Sequence, residues 1–240
     1  EKFEKESIFG CWKCCVLTGF ATQVRIVHDS DDVSLREVLL LDYDGNPIMP
    51  LNANMYPELF DEQDVAPKEF NAYTSFYFDE FYYGPTAYEY INGLEPFERT
   101  HPPLGKDIIA LGILLFGYTP FAIRFFGTLL GVIMLPVLYL TARNITKNRG
   151  ISAFVMFIFA FDFMHFTQTR IATIDVYITF FIILMYYFME RYVNTSFYDK
   201  PLKETWIPLG ACGIAFGFGI ASKWTGAYAG AGLALIFFAS

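Results

Sequence analysis

The chain has 240 residues, 54% of them hydrophobic and 19% aromatic, with a formal net charge of −8 and a mean hydropathy of +0.35. So apolar a composition excludes an ordinary soluble domain. An acidic balance without a basic patch excludes nucleic acid as a partner, because such binding rests on Lys and Arg neutralising phosphates.

The apolar character is unevenly spread. Most of the acidic charge falls in the first hundred residues and most of the apolar runs fall after them. The chain starts at Glu1 and ends inside an apolar run from Gly230 to Ser240, as expected of a piece of a longer protein. Cys11, Cys14 and Cys15 cluster in CWKCC, and Cys212 lies in an apolar stretch. One CxxC without a second pair points to small buried residues or a local disulfide rather than zinc.

Residues 1–70 read as an extracytoplasmic β-rich segment and linker. Gln23 to His28 and Ser34 to Leu41 alternate with period two and carry β-branched residues, which predicts strands. Asp42-Tyr43-Asp44-Gly45-Asn46-Pro47 is a turn signal. The pattern from Val24 through Asn46 resembles a galactose-binding-like jelly roll, with plain structural packing as the alternative. Pro57 to Asn71 is polar and Pro-bearing, hence a linker.

Residues 71–120 read as an extracytoplasmic loop with interfacial helices. Tyr73 to Tyr83 has the aromatic density of a membrane–water interface. Gly84 to Asn92 predicts a short helix closed by Gly93. Thr100, Pro102 and Pro103 predict a helix from Pro103 to about Gly117, broken by Gly117-Tyr118-Thr119-Pro120.

Residues 121–240 read as transmembrane helices, at about 121–142, 150–167, 175–190, 206–221 and 225–240. Gly213, Gly217 and Gly219 suit close helix approach. The loops at 143–149 and 191–203 each carry three Lys or Arg, which places them in the cytoplasm. By alternation, residues 1–120, the turn 168–175 and the turn at Lys223 share the opposite face. The expected fold class is mainly α, a multi-span transmembrane helical bundle preceded by a small extracytoplasmic β-rich segment.

The candidate chemistry lies on that outer face. Asp79 and Glu80 form an acid pair among aromatics, where a carboxylate can take a proton from a hydroxyl; a solvated loop pair is the alternative. His101 to Lys106 opens a helix whose free N–H groups, with Lys106, suit an anion; a Pro-started helix with a snorkelling Lys is the alternative. Arg124, Arg170, Asp175, Asp162 and His165 sit in or beside apolar spans, where ionisable groups are costly and often functional; ion pairs such as Arg170 with Asp162 or Asp175 would also account for them. Lys223 can meet a phosphate or snorkel.

Four ordered stretches carry a resemblance to the protein O-mannosyltransferase family: Phe78-Asp79-Glu80, His101 to Lys106 (HPPLGK), Thr167 to Asp175 (TQTRIATID) and Gly217 to Gly226 (GFGIASKWTG). Thr169 and Thr173-Ile174 depart from the more usual Ser and Leu-Leu, and the segment before residue 71 resembles the inserted outer domain of some bacterial relatives. The resemblance implies a GT-C bundle and a polyprenyl- or dolichyl-phosphate sugar donor, usually mannose. It implies a hydroxyl acceptor, in protein Ser/Thr or in a lipid or cell-wall polymer, and an integral, multi-pass protein with its active site on the extracytoplasmic face. Asp79 and Glu80 match the family's catalytic acidic pair, with Asp79 as general base. His101, Lys106, Arg124, Arg170, Asp175 and Lys223 match positions expected to face the donor phosphate or sugar. No cofactor is assigned, and a divalent metal is left open. Asp79, Glu80, Glu98 and His101 leave room for a divalent metal, but no fixed ligand spacing supports one. The rival readings are a transporter relaying charge through Asp162, Arg170 and Asp175, against which the lack of an internal repeat weighs, and a non-catalytic sugar-binding membrane protein.

Overall fold

The computed structural model describes residues 15–27, 35, 37–61, 63, 76–195 and 201–239. The chain divides into two compact units, Glu1–Ser75 and Phe76–Ser240.

The described residues of the first unit contain no strand. Leu41 and Pro47 form an isolated antiparallel bridge, and two short 3-10 turns follow at Ala53–Met55 and Pro57–Leu59. The turn between the bridge residues is as expected: the Asp42 carboxylate accepts from Asp44 N and Asn46 N at 2.9 and 2.7 Å, and Gly45 takes φ +81°. The described residues therefore do not confirm the β-rich reading. The alternating stretch at 23–27 has no assigned secondary structure among the described residues, with Val24, Ile26 and Val27 all exposed. Alternation makes a strand only where a partner strand and a buried face exist. His28, Ser34 and Arg36 lie outside the described residues, as do Cys11 and Cys14 of the CWKCC cluster and the aromatic residues at 70–75.

The described residues of the second unit form helices joined by loops. Its helices are α1 (Glu80–Ile91), α2 (Leu104–Phe116), α3 (Pro120–Thr146), α4 (Arg149–Ala160), α5 (Phe163–Gln168), α6 (Ile174–Val193), α7 (Lys203–Ser222) and α8 (Gly226–Ala239). Local signals explain most boundaries. Thr119 caps α3, accepting from Ala122 N at 3.2 Å, with Pro120 in the first turn. Asn148 caps α4 by accepting from Gly150 N and Ile151 N. The expected cap at Thr100 is not used; α2 starts after Pro103, which fills the N-cap position.

Three helices are long and apolar enough to cross a membrane: α3, α6 and α7, of 27, 20 and 20 residues. Twenty residues at about 1.5 Å each match the roughly 30 Å hydrocarbon core. The span expected at 150–167 is interrupted. α4 ends at Ala160, and Asp162 opens α5 by accepting from His165 N at 2.8 Å. An Asp prefers to cap a helix start rather than lie within a helix, so the carboxylate divides the apolar run. α8, at 14 residues, is likewise an apolar helix below spanning length among the described residues.

α6 is the central element, packed against α3 and α7, while α2 bridges α1 to α3. One core cluster joins Tyr83 and Ala87 of α1, Ile109 and Ile113 of α2, Ile123 of α3 and Ile174, Tyr177 and Phe181 of α6. A second joins Met185 and Met189 of α6 to Cys212 and Ala215 of α7 and Leu233 of α8. Close helix approach does not fall at Gly213 or Gly217, where an added Cβ would meet nothing within 4 Å, but it does at Gly219, whose backbone lies 3.0 Å from a Cβ built on Gly226. A tight backbone contact is α2 on α3, where a Cβ on Gly112 would lie 2.3 Å from the Ala122 carbonyl oxygen. A backbone atom cannot swing aside, so Gly112→Ala is expected to lower the stability of the full-length protein in detergent by about 1–3 kcal/mol. Gly210→Ala, with nothing within 4 Å, should leave the thermal unfolding midpoint unchanged or slightly raised.

Candidate active site

The acid pair lies where the chain turns into α1. Phe78 takes φ +53°, a left-handed conformation that costs a bulky residue about 1–3 kcal/mol. Asp79 follows as N-cap and Glu80 as the first helical residue, and the turn sends their side chains to different environments.

Glu80 is fully buried and saturated with donors. Arg124 of α3 grips it with two bonds, Nε to Oε1 and Nη2 to Oε2, both 2.6 Å. Ala172 N donates to Oε1 at 2.8 Å and Tyr77 N to Oε2 at 2.6 Å. One carboxylate thus ties the start of α1 to α3 and to the turn before α6. Thr128 Oγ1 adds a bond to Thr169 O at 2.8 Å, holding that turn on α3.

Asp79 is half-buried and its carboxylate makes no hydrogen bond or ion pair among the described residues. Its pKa is raised, first by burial and then by the neighbouring Asp175 carboxylate, against a lowering influence from Lys223 and His101. These four residues, far apart in sequence, therefore share one electrostatic neighbourhood. Tyr83, one turn along α1, belongs to it too: burial and the carboxylates of Asp79, Asp175 and Glu98 push its phenol up, so it stays protonated.

The cations are mostly engaged. Lys106 is completely buried and its ammonium donates to Glu98 Oε2 at 2.6 Å, Glu98 O at 2.9 Å and His101 O at 3.0 Å. An ammonium has three protons, so none remains for a phosphate. Glu98 also accepts from Thr100 N at 2.7 Å, His101 N at 3.1 Å and the Thr100 hydroxyl. Burial pushes the Glu98 carboxyl up, but the bonds from Lys106 and Thr100 together hold it below the usual range. Lys223 is paired with Asp175 at 2.8 Å, in a partly exposed position. Trp224 Nε1 donates to Thr100 O at 3.1 Å, so the turn between α7 and α8 docks on the loop ahead of α2. Arg170 is exposed, with its guanidinium 3.6 Å from the Phe166 ring centroid. It pairs with neither Asp162 nor Asp175, contrary to the ion pair that the sequence suggested.

The structure thus gathers Asp79, His101, Asp175 and Lys223, sets Glu80 and Arg124 behind them, encloses Lys106, and leaves Arg170 outside. Among the described residues no three His, Cys, Asp or Glu side chains converge as a metal site. Sequence reasoning named Glu98 only as a metal donor and passed over Tyr83. The signal for Tyr83 was its spacing of four from Asp79 at a helix start. Glu98, eight residues from Lys106 across a loop, carried no periodic signal.

The two acids should respond differently to amidation. Glu80→Gln breaks a buried ion pair and is expected to cost about 3–5 kcal/mol, seen as a large fall in the unfolding midpoint. Asp79→Asn, with no partner to lose, should unfold at the wild-type temperature.

The profile of the dolichyl-phosphate-mannose-protein mannosyltransferase family matches residues 69–121 and 119–240. A polyprenol-phosphate-mannose–protein mannosyltransferase of Mycobacterium tuberculosis is 30% identical over 173 residues, covering 63% of this chain and 33% of the relative. One from Mycolicibacterium smegmatis is 30% identical over 174 residues with the same coverage. Dolichyl-phosphate-mannose–protein mannosyltransferase 1 of Saccharomyces cerevisiae is 29% identical over 168 residues, covering 63% of this chain and 20% of the relative. The chain spans about a third of the length of the mycobacterial relatives. The profile takes in α1 to α8 and with them every residue gathered around Asp79, and the chain belongs to the dolichyl-phosphate-mannose-protein mannosyltransferase family.

Proposed function

We propose that the full protein of which this chain is part transfers mannose from a polyprenyl-phosphate carrier to a Ser or Thr hydroxyl of a protein, at the extracytoplasmic face of a membrane it crosses several times. The observation that carries this reading is the division of labour within the acid pair. Glu80 is saturated by four donors, whereas the Asp79 carboxylate beside it makes no hydrogen bond or ion pair among the described residues, in an electrostatic cluster. Family membership supports the donor class, and the relatives named as protein mannosyltransferases support the acceptor class.

Asp79 takes the proton of the acceptor hydroxyl as its oxygen bonds to C1 of the sugar. The C1–O bond to the phosphate breaks, and the polyprenyl phosphate leaves with that electron pair. Attack opposite the leaving group inverts the anomeric carbon. A proton acceptor held on one side and a cation on the other are what this displacement needs. Lys223 and His101 are the groups placed to face the leaving phosphate. Lys106 and Glu98 act one step back, holding the loop that presents His101, and Arg124 acts through Glu80. Arg170, exposed beside Phe166, is available to the lipid headgroup.

The test is transfer of labelled mannose from polyprenyl phosphate to a Ser/Thr-rich peptide by the full-length protein in membranes. Labelled peptide is the expected result; donor turnover with no peptide label would overturn the protein acceptor. The acid limb of the rate should lie above the ordinary carboxylate pKa of about 3.9, because the Asp79 pKa is raised. Asp175→Asn removes a neighbouring anion, so the limb should move to lower pH. Lys223→Met removes a cation that lowers the Asp79 pKa, so the limb should move to higher pH. Limbs that do not move in these directions would remove Asp79 as the titrating group.

A further inference from the structure

We infer that the open cleft bordered by α3, the α4–α5 junction and the start of α6 is the subsite for the sugar ring of the donor, separate from the place of its phosphate. This inference rests on the proposed reading and locates one part of the substrate within it. The cavity has a volume of about 320 Å³, at the small end of ligand sites, sized for one monosaccharide. Its lining includes Met134 and Phe159 on the apolar side and Asp162, His165, Gln168 and Asp175 on the polar side.

The hydrogen-bonding inventory of those polar groups is that of a polyol site. Asp162 uses Oδ1 to cap α5, leaving Oδ2 open. Asp175 uses Oδ1 for Lys223, leaving its other oxygen open. Gln168 uses Oε1 to accept from Thr173 Oγ1 at 3.2 Å, leaving both amide N–H donors without a partner among the described residues. The His165 ring lies against Phe159, tilted by 36° with centroids 4.3 Å apart, and makes no hydrogen bond among the described residues. Two carboxylate oxygens that accept, an amide that donates, and an aromatic and thioether wall suit a neutral ring bearing several hydroxyls. Hydrogen bonds from a neutral hydroxyl to an ionised carboxylate are among the stronger kinds.

The same groups reject the phosphate. Two carboxylates line the cavity, and Lys223, the cation paired with one of them, does not. Nor do His165 and the two aspartates form a metal-like group among the described residues. Asp175 is the divider: it meets Lys223, it lines the cavity, and it raises the pKa of Asp79. A sugar in the cavity and a phosphate beside Lys223 would set the bond between them against the neighbourhood of Asp79.

Gln168→Glu keeps the oxygen used by Thr173 and replaces the two donors with a third negative charge. The full-length protein in nanodiscs is titrated with polyprenyl-phosphate mannose and, separately, with polyprenyl phosphate bearing no sugar, and binding is read from the shift in unfolding temperature. The wild type should bind the mannosyl lipid more tightly than the bare phosphate. Gln168→Glu should weaken the mannosyl lipid about tenfold, the loss of one hydrogen bond, and weaken the bare phosphate much less. Retained binding of the bare phosphate also shows that the variant is folded. Asp162→Asn, which keeps the cap oxygen for His165, is the second variant and should shift the same comparison in the same direction. Equal weakening of both lipids, or wild-type discrimination in both variants, would overturn the sugar subsite. A wild type that discriminates between the lipids but labels no peptide would instead overturn the transfer reading and leave the subsite standing.

Discussion

The buried Glu80 carboxylate is the constraint on which the rest of the site depends. An unpaired ionised carboxylate in an apolar interior is prohibitively costly. Here Arg124 supplies a bidentate ion pair and two backbone N–H groups fill the remaining acceptor positions. Four donors from α3, the turn before α6 and the approach to α1 can meet at one point only if those segments adopt a single arrangement. The same bonds over-determine the backbone at Phe78, where a left-handed residue would otherwise relax. Asp79, adjacent in sequence, has no hydrogen bond or ion pair among the described residues.

A second buried pair does for the loop before α2 what Glu80 does for α1. Lys106 and Glu98 neutralise each other, and both reach back to the backbone around Thr100 and His101. The Nδ1 atom of His101 is buried without a hydrogen-bond partner, a state that favours meeting a ligand or a water. Trp224 joins the turn after α7 to this loop, and Lys223 from that turn reaches Asp175 at the start of α6. Four chain segments are thus linked through side chains whose charges are mostly balanced. The charges in this neighbourhood that keep some solvent exposure, Asp79 and the Asp175–Lys223 pair, are those that face one another.

Much of the helical frame was legible because it rests on local chemistry. Pro102-Pro103 ahead of α2, Thr119-Pro120 ahead of α3 and the apolar runs of α6 and α7 are signals carried within a few residues. The acid pair was legible as a pair, but not the difference between its members, which depends on Arg124 and Ala172, 44 and 92 residues away. Lys106 looked like a phosphate ligand because a helix start with a lysine suits an anion; its partner Glu98 sits across an irregular loop. The break at Asp162 was hidden by apolar residues on both sides, although an Asp in such a run is itself a cap signal. The alternation at 23–27 misled because it reports only which residues alternate, and a sheet also needs partners.

The central claim is that Asp79 does the chemistry while its neighbours hold the geometry. The most direct measurement compares Asp79→Asn with wild type for two quantities in the full-length protein: the affinity for polyprenyl-phosphate mannose and the single-turnover rate of transfer to peptide. The expected result is donor affinity within the error of wild type and a transfer rate lower by about 10²–10⁴-fold, the contribution of a general base. A variant that transfers mannose at the wild-type rate, or that loses donor affinity in proportion to its rate, would contradict it.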